Sequence, residues 1–272
     1  MSPAPGRLDQ AAFDDALGRN PDETLSLLAD MASATDPVLR QLARRLAGRI
    51  VVRLGRSGPP RVGAGGRLTL RRGSGADLDV DASLEELVSA AAGRRPPSAD
   101  DLRWHGWAKP ASALCLVVDR SGSMGGARLA SAALAAGAVA WRAPADYSVV
   151  AFSSDVVVIK GQGEERSVEE VVDDLLALRG HGPTDLGLGL SAARDELARS
   201  TAGNQAVLLL SDCRATKGDD PIEVARALPR LLVLAPAGDS GDAQSLARAT
   251  GARMATVAGP ASVPSGLAEL LG

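Results

Sequence analysis

The sequence predicts an α/β fold: a doubly wound, mostly parallel sheet with one antiparallel edge strand, plus a smaller N-terminal helical segment with a strand pair. From residue 113 onward, short apolar runs alternate with stretches of helical spacing, which is typical of β-α-β units. These apolar runs are nearly continuous, as expected when helices cover both faces of the sheet. The chain of 272 residues is long enough for one such domain with an accessory region.

We assign residues 111–272 to the α/β domain and expect six strands and six helices in it. The strands are predicted at 114–118, 147–152, 155–159, 205–211, 231–235 and 253–257. The helices are predicted at 127–142, 167–178, 186–200, 220–227, 242–250 and 263–271. Only two residues separate the second strand from the third, which is too short for a crossover, so residues 155–159 should form the antiparallel edge.

Residues 1–110 are expected to form the accessory region, with the domain boundary between about residues 95 and 112. Helical spacing occurs at 8–17, 21–32, 36–49 and 83–92, and strand-like runs occur at 50–54 and 67–71. Acidic and apolar residues alternate over residues 77–81, which predicts a strand with three carboxylates on one face. This stretch does not fit a calcium-binding EF-hand loop, because Ala82 stands where that loop requires glycine.

Ten arginines and no acidic residue occur within residues 37–76. This pattern fits a solvated surface or a surface for an acidic protein partner. A nucleic-acid surface is disfavoured, because the same span has no aromatic residue for base stacking. The sequence shows no signal peptide and no apolar run of membrane-spanning length, and its two cysteines do not describe a disulfide framework. A cytoplasmic protein without membrane contact is therefore expected.

Five oxygen-bearing side chains follow or precede the predicted strands and helices in a pattern that suits a metal. Asp119, Ser121 and Ser123 come directly after the first apolar run of the domain. Thr184 precedes the third predicted helix, and Asp212 follows the fourth strand. Because the carboxyl ends of parallel strands meet at one edge of a sheet, these loops should converge at the point where the strand order reverses. Such hard oxygen ligands suit Mg²⁺, with Mn²⁺ as the alternative ion.

The chemistry of this set favours docking over catalysis. If the two carboxylates act through water, as Mg²⁺ readily allows, the direct ligands are mostly neutral hydroxyls, so bound Mg²⁺ would keep a large effective positive charge. An open coordination position would then attract a carboxylate from a protein partner. The only histidines are His105 and His181, so no general base is evident beside the ion. Ser121 and Ser123 lack the Gly-x-Ser-x-Gly pattern of serine hydrolases. We therefore expect no enzymatic activity and rank a metal-dependent hydrolase as the weaker alternative.

At these residues the chain resembles a von Willebrand factor A (VWA) domain. The match comprises Asp119-x-Ser121-x-Ser123, Thr184 in Gly-Pro-Thr-Asp, and Asp212 in Ser-Asp, and it covers roughly residues 111–272. In that family these positions form the metal-ion-dependent adhesion site. The resemblance implies that the three hydroxyls contact Mg²⁺ directly, whereas the two aspartates act largely through water.

The resemblance extends to a kind of VWA protein that works beside other machinery. The chain is similar to bacterial VWA proteins associated with MoxR-type AAA+ ATPases, and to the VWA part of magnesium-chelatase D subunits. This implies an adaptor or co-chaperone role in metal insertion or complex maturation, with a separate AAA+ ATPase as partner. The alternative is a scaffold that binds an acidic partner through the arginine-rich N-terminal region. One departure from the family is Cys213, which stands where glycine often follows the last aspartate; this thiol would be open to oxidation if exposed.

Overall fold

The structure is a computed structural model that describes residues 10–32, 67–72, 77–96, 98, 102–108, 112–121, 126–180 and 182–271. They divide into two compact units, one within residues 1–60 and 112–272 and the other within residues 61–111. The predicted helix at 36–49 and strand at 50–54 lie outside the described residues. The assignment of 1–110 and 111–272 as domains stays a prediction, although the first two helices belong to the same unit as the large sheet.

The described elements alternate as the apolar pattern predicts. In chain order the helices are α1 (Gln10–Arg19), α2 (Pro21–Ala32), α3 (Val80–Ala92), α4 (Gly126–Arg142), α5 (Val168–Ala177), α6 (Leu186–Leu197), α7 (Pro221–Arg226), α8 (Gly241–Thr250) and α9 (Val263–Leu271). The strands are β1 (Arg67–Arg72), β2 (Asp77–Asp79), β3 (Arg103–Ala108), β4 (Ser112–Asp119), β5 (Tyr147–Phe152), β6 (Val156–Lys160), β7 (Asn204–Leu210), β8 (Leu231–Pro236) and β9 (Arg253–Val257). No described helix has the length and apolarity needed to cross a membrane.

The larger unit is built on a six-stranded sheet with the order β6-β5-β4-β7-β8-β9. All neighbouring strands pair in parallel except β6, which pairs antiparallel with β5. The strand order reverses between β4 and β7, because the chain runs outward to β6 on one side and to β9 on the other. The predicted fold class, with its single antiparallel edge strand, is thus confirmed.

Helices cover both faces of this sheet, which explains why its strands are apolar throughout. Leu116 and its even-numbered neighbours on β4 pack into one core with α2, α4, α5 and α9. Val117 and its odd-numbered neighbours pack into a second core with α6, α7 and α8. Successive side chains of a strand point to opposite faces, so a central strand can contribute to two cores only if nearly every residue is apolar.

Helix α2 packs into the same core as the helices on one face of the large sheet. Leu25 and Leu28 are buried in the core beside α4. The Gly126 N–H donates a hydrogen bond of 2.9 Å to Asp30 Oδ1. The Ala261 N–H donates one of 2.7 Å to Asp22 Oδ1. The same helix therefore holds the start of α4 and the loop that precedes α9.

The smaller unit is a three-stranded antiparallel sheet with the order β1-β3-β2, together with α3. The prediction of a strand over residues 77–81 is wrong beyond Asp79, because the Asp79 side chain accepts a hydrogen bond from the Ala82 N–H and begins α3 at Val80. An aspartate that caps a helix and one that alternates in a strand look alike in sequence. The central strand β3 was not predicted.

Candidate metal centre

Two neighbouring strands deliver aspartates to the same edge of the large sheet. β4 ends at Asp119, and β7 is followed at once by Ser211 and Asp212. Val118 and Leu210 are register partners, so the two strand exits lie side by side. The Ser211 hydroxyl donates a 2.6 Å hydrogen bond to Asp119 Oδ2, which ties the two exits together. The two predicted carboxylate ligands therefore meet where the strand order reverses.

The chain turns sharply after Asp119. The Ser121 N–H donates a 2.8 Å hydrogen bond to Asp119 Oδ1, so both carboxylate oxygens accept a hydrogen bond. The Arg120 N–H donates to the Phe152 carbonyl at 2.8 Å, which holds this turn against the end of β5. Ser121 is half-buried at the edge of the sheet. Ser123 lies outside the described residues.

Thr184 reaches the same edge from the other face of the sheet. Thr184 is buried, with 5% of its surface exposed. Its N–H donates to the Thr216 hydroxyl at 2.9 Å, and its carbonyl accepts from the N–H groups of Thr216 and Lys217. These bonds fasten the Thr184 loop to the loop that follows Asp212. The structure thus brings Asp119, Ser121, Thr184 and Asp212 to one edge, and their role as ligands stays a prediction.

The carboxylates of the cluster have no directly paired cation among the described residues. Among the residues that the structure describes, neither Asp119 nor Asp212 forms a salt bridge. Asp212 Oδ1 accepts a hydrogen bond of 2.9 Å from the Arg214 N–H. The guanidinium of Arg214 pairs instead with Asp239, at 2.8 Å.

A second arginine near the cluster is also turned away from it. Arg120 is 5% exposed and pairs with Asp155 at 2.5 Å. Asp155 also accepts a 2.8 Å hydrogen bond from the Ser153 hydroxyl. Two carboxylates that form no salt bridge among the described residues, beside buried or half-buried hydroxyls, form a donor set that fits a divalent ion such as Mg²⁺. No group of three His, Cys, Asp or Glu side chains gathers within the described ranges, so such a site would depend on its hydroxyls.

The backbone conformation of Cys213 explains why the family often has glycine at this position. Its φ angle is 62°, in the left-handed region that residues with a Cβ rarely adopt. The thiol is 5% exposed, and burial, followed by the nearby charges of Asp212 and Asp119, raises its pKa from 9.0 to about 12. A buried, protonated thiol is unreactive, so oxidation of the folded protein is not expected.

Several positions of this region could not be assigned from sequence. Ser211 orients Asp119, Thr216 holds Thr184, and Arg120 fastens the turn to Asp155. Of these, only Ser211 had a local signal, because it directly precedes the predicted ligand Asp212. Hydroxyls and guanidinium groups are common on loops, and their partners here lie far away in the chain.

The sheet order, the reversal point and the oxygen cluster at the carboxyl ends of its strands define a VWA-type protein. A profile of the family "VWA domain containing CoxE-like protein" matches residues 42–267. The chain therefore belongs to this family, in which a protein-interaction role is common. No curated protein matches the chain.

Several solved structures match part of the chain at low identity. The vWF domain of the type V pili tip protein Mfa5 from Porphyromonas gingivalis is 25% identical, over 39% of each chain, with a TM-score of 0.34. A von Willebrand factor type A protein from Catenulispora acidiphila is 15% identical, over 61% of this chain and 43% of that one, with a TM-score of 0.47. Manganese-loaded TRAP protein from Plasmodium vivax is 17% identical, over 54% and 68%, with a TM-score of 0.44.

These structural likenesses are partial. The chain covers 20% of a three-domain structure of Mfa5 and 39% of its vWF-domain structure. The fold assignment rests on the observed strand order and on the family profile.

Proposed function

We propose that this protein is a Mg²⁺-dependent protein-interaction module that acts in the cytoplasm as an adaptor or co-chaperone for a separate AAA+ ATPase, in metal insertion or complex maturation. The observation that carries the proposal is the meeting of Asp119, Ser121, Thr184 and Asp212 at one sheet edge, with no salt bridge to either aspartate among the described residues. Mn²⁺ is the alternative ion.

The arrangement suits docking better than catalysis. Both oxygens of Asp119 accept hydrogen bonds, and Asp212 accepts one from the backbone, so these groups are oriented as fixed acceptors rather than as mobile bases. If Asp119 and Asp212 act through water, a bound divalent ion would have mainly neutral hydroxyls as direct ligands and would keep much of its positive charge. A carboxylate from a partner protein would complete its coordination. We therefore propose a non-catalytic role.

The AAA+ partner is inferred from the family resemblance and from the sequence. These 272 residues contain no Gly-x-x-x-x-Gly-Lys-Ser/Thr motif, so we assign ATP hydrolysis to the partner. Membership in the CoxE-like VWA family supports association with a protein partner.

The first test measures metal binding directly. Electron paramagnetic resonance detects bound Mn²⁺, and competition with Mg²⁺ gives the affinity for Mg²⁺. Asp119→Asn keeps an oxygen that can accept the Ser121 N–H, so the turn should survive while the negative charge is lost. We expect at least a hundredfold loss of metal affinity. The matched control is Asp195→Asn, because Asp195 is exposed on α6 and pairs only with its neighbour Arg194. The control should bind metal as the wild type does.

The second test is recovery of the partner from native lysate in Mg²⁺, in EDTA and with Asp119→Asn. An AAA+ ATPase or its client recovered only by wild type in Mg²⁺ supports the proposal. The same partners in all three conditions would contradict metal-mediated docking and favour the arginine-rich region as the contact. If Asp119→Asn bound Mn²⁺ with unchanged affinity, the proposal of a metal site at Asp119 would be rejected.

A further inference from the structure

A pocket of about 190 Å³ lies directly beside the candidate metal centre, on the face of the sheet that α4 covers. Asp119 and Asp212 belong both to the candidate metal centre and to the pocket wall. The other walls come from the first turns of α4 and from the loops that follow β8 and β9. The lining residues are Val118, Asp119, Ala127, Arg128, Ser131, Leu210, Ser211, Asp212, Pro236, Asp239, Val257, Ala258, Gly259 and Pro260.

Most of the wall is apolar, and most of its polar groups are already engaged. The Ser131 hydroxyl donates to the Ala127 carbonyl of its own helix at 2.8 Å. The Ser211 hydroxyl donates to Asp119, and Asp239 pairs with Arg214. A ligand rich in hydroxyls or amides would find few free partners here. An apolar cavity on the order of 150 Å³ is large enough to hold benzene, so this pocket has room for an aliphatic side chain.

The rim also carries an exposed positive charge. Arg128 stands on the first turn of α4, beside the pocket. With a cation bound at the two aspartates, the ion and Arg128 would both add positive charge to the wall of this pocket. The combined field would attract an acidic segment and repel a basic one.

We propose that this pocket receives an aliphatic side chain of the same partner segment whose carboxylate ligates the metal. The inference rests on the proposed function and deepens it by naming the chemistry of the recognised sequence. Because consecutive Cα atoms are about 3.8 Å apart, and because pocket and metal centre share two aspartates, the aliphatic residue stands one or two positions from the acidic one. The partner is thus an acidic peptide segment with an adjacent Leu, Ile, Val or Met.

The experiment selects peptides from a randomised twelve-residue display library on the full chain in Mg²⁺, with elution by EDTA. Ser131→Leu adds an aliphatic side chain to the pocket wall from the second turn of α4 and replaces no predicted ligand. Ser245→Leu is the matched control, since the Ser245 hydroxyl also bonds a carbonyl one turn back, that of Gly241, on a helix away from the pocket. Ala127→Leu is a second filling variant on the exposed first turn. Thermal unfolding verifies that each variant is folded.

The proposal predicts EDTA-eluted peptides that contain an acidic residue with an aliphatic neighbour, enriched at least tenfold on wild type and on Ser245→Leu. The filled variants should retain the acidic residue and lose the aliphatic preference. An acidic requirement without any aliphatic neighbour, or an unchanged preference in both filled variants, would overturn the pocket assignment and leave metal docking intact. Peptides that lack acidic residues, or that EDTA does not release, would overturn the proposed function and this inference together.

Discussion

The polar clusters at the two ends of the parallel strands differ in character. At the carboxyl ends of the parallel strands lies the open cluster, which comprises Asp119, Ser121, Thr184, Ser211 and Asp212. At their amino ends lies the closed cluster, which comprises Asp146, Lys160, Gln162, Glu196, Arg199 and Ser200. In the closed cluster cations accompany the acids, whereas the acids of the open cluster form no salt bridge among the described residues.

Most polar groups of the closed cluster have partners within it, although Gln162 Oε1 is buried without a hydrogen bond among the described residues. The Lys160 ammonium donates to the Tyr147 carbonyl at 2.7 Å and lies 4.2 Å from the centre of the Tyr147 ring. Glu196, which is 3% exposed, accepts the Gln162 N–H at 2.7 Å and pairs with Arg199 at 3.0 Å. Burial lowers the Lys160 pKa, while neighbouring acids oppose that shift. The paired donors and acceptors of the closed cluster stabilise the fold locally. The open cluster has carboxylates without a paired cation among the described residues, an arrangement that favours binding of a metal ion.

Removal of Glu196 should break the closed cluster and produce the largest effect. Glu196→Ala leaves the Gln162 N–H without its acceptor and Arg199 without its partner, so we expect a loss of about 3 kcal/mol in the free energy of unfolding. Urea denaturation measures this loss. Glu165→Ala, at an exposed site, should change stability by less than about 0.5 kcal/mol. A metal affinity that falls in parallel with stability would contradict the independence of the two clusters.

Substitution of Thr184 should break the open cluster without harm to the fold. Thr184→Val removes the hydroxyl but keeps the side-chain shape and the backbone bonds to Thr216 and Lys217. We expect at least a tenfold loss of Mn²⁺ affinity, or about 1.4 kcal/mol, with little change in the unfolding temperature. Thr184→Ser, which keeps a hydroxyl, should retain most of the affinity. Equal binding by the valine and serine variants would exclude Thr184 as a ligand.

The buried thiol of Cys115, which lies near the closed cluster, should make the stability of the protein depend on pH. Burial raises its pKa from 9.0 to about 12, and the charge of Glu196 in the closed cluster adds to the rise. Below pH 9 the thiol is protonated in both states. Between pH 9 and 12 only the unfolded chain ionises, so stability falls as pH rises, by about 1.4 kcal/mol at pH 10 from this group.

Chemical unfolding of wild type and Cys115→Ala at pH 8 and pH 10 measures the contribution of this thiol. The alanine variant starts from a lower stability because it leaves a small cavity, but it should lose less between the two pH values. Identical losses in both proteins would show that the thiol does not contribute to alkaline unfolding.

The tie between α2 and the start of α4 should contribute a smaller amount. Asp30→Ala removes the acceptor for the Gly126 N–H at a helix start, which costs about 1 kcal/mol in comparable caps. Thermal unfolding measures the loss. Asp14→Ala serves as the control, since Asp14 is exposed on α1. If both variants unfold together, the Asp30 contact does not stabilise the sheet unit.

An effect of similar size concerns the backbone beside the open cluster. At a φ angle of 62°, Cys213→Ala keeps a Cβ in the left-handed region, whereas Cys213→Gly removes it. Both variants lose the thiol, so the difference between them reports the backbone, and glycine should be the more stable by about 1 kcal/mol. Equal stabilities by urea denaturation would mean that the Cys213 backbone is not strained.

The parallel sheet and the candidate ligands could be predicted because their signals are local. The apolar run of β4 and the two-residue link before β6 are both readable in a short window, and Asp119 follows its strand directly. The capping role of Asp79 was not predictable from alternation, and β3 combines two tryptophans with a histidine and a glycine, which gives no clear strand period. The left-handed backbone at Cys213 was signalled only by the glycine that the family often has there.

The docking of α2 on the sheet unit had no local signal. Its apolar face, with Leu25 and Leu28, predicts an amphipathic helix but does not identify what covers it. The partners of Asp30 and Asp22 lie 96 and 239 residues further along the chain. Contacts of that separation leave no periodicity in the sequence, so only a structure can reveal them.

The same separations have a consequence for biosynthesis. Ala261, which binds Asp22 of α2, is translated 239 residues after its partner. At about 5–20 residues per second, α2 waits on the order of ten seconds or more for this contact. During that interval Leu25 and Leu28 lack their full cover, so the nascent chain offers an apolar helix that a holdase chaperone would recognise.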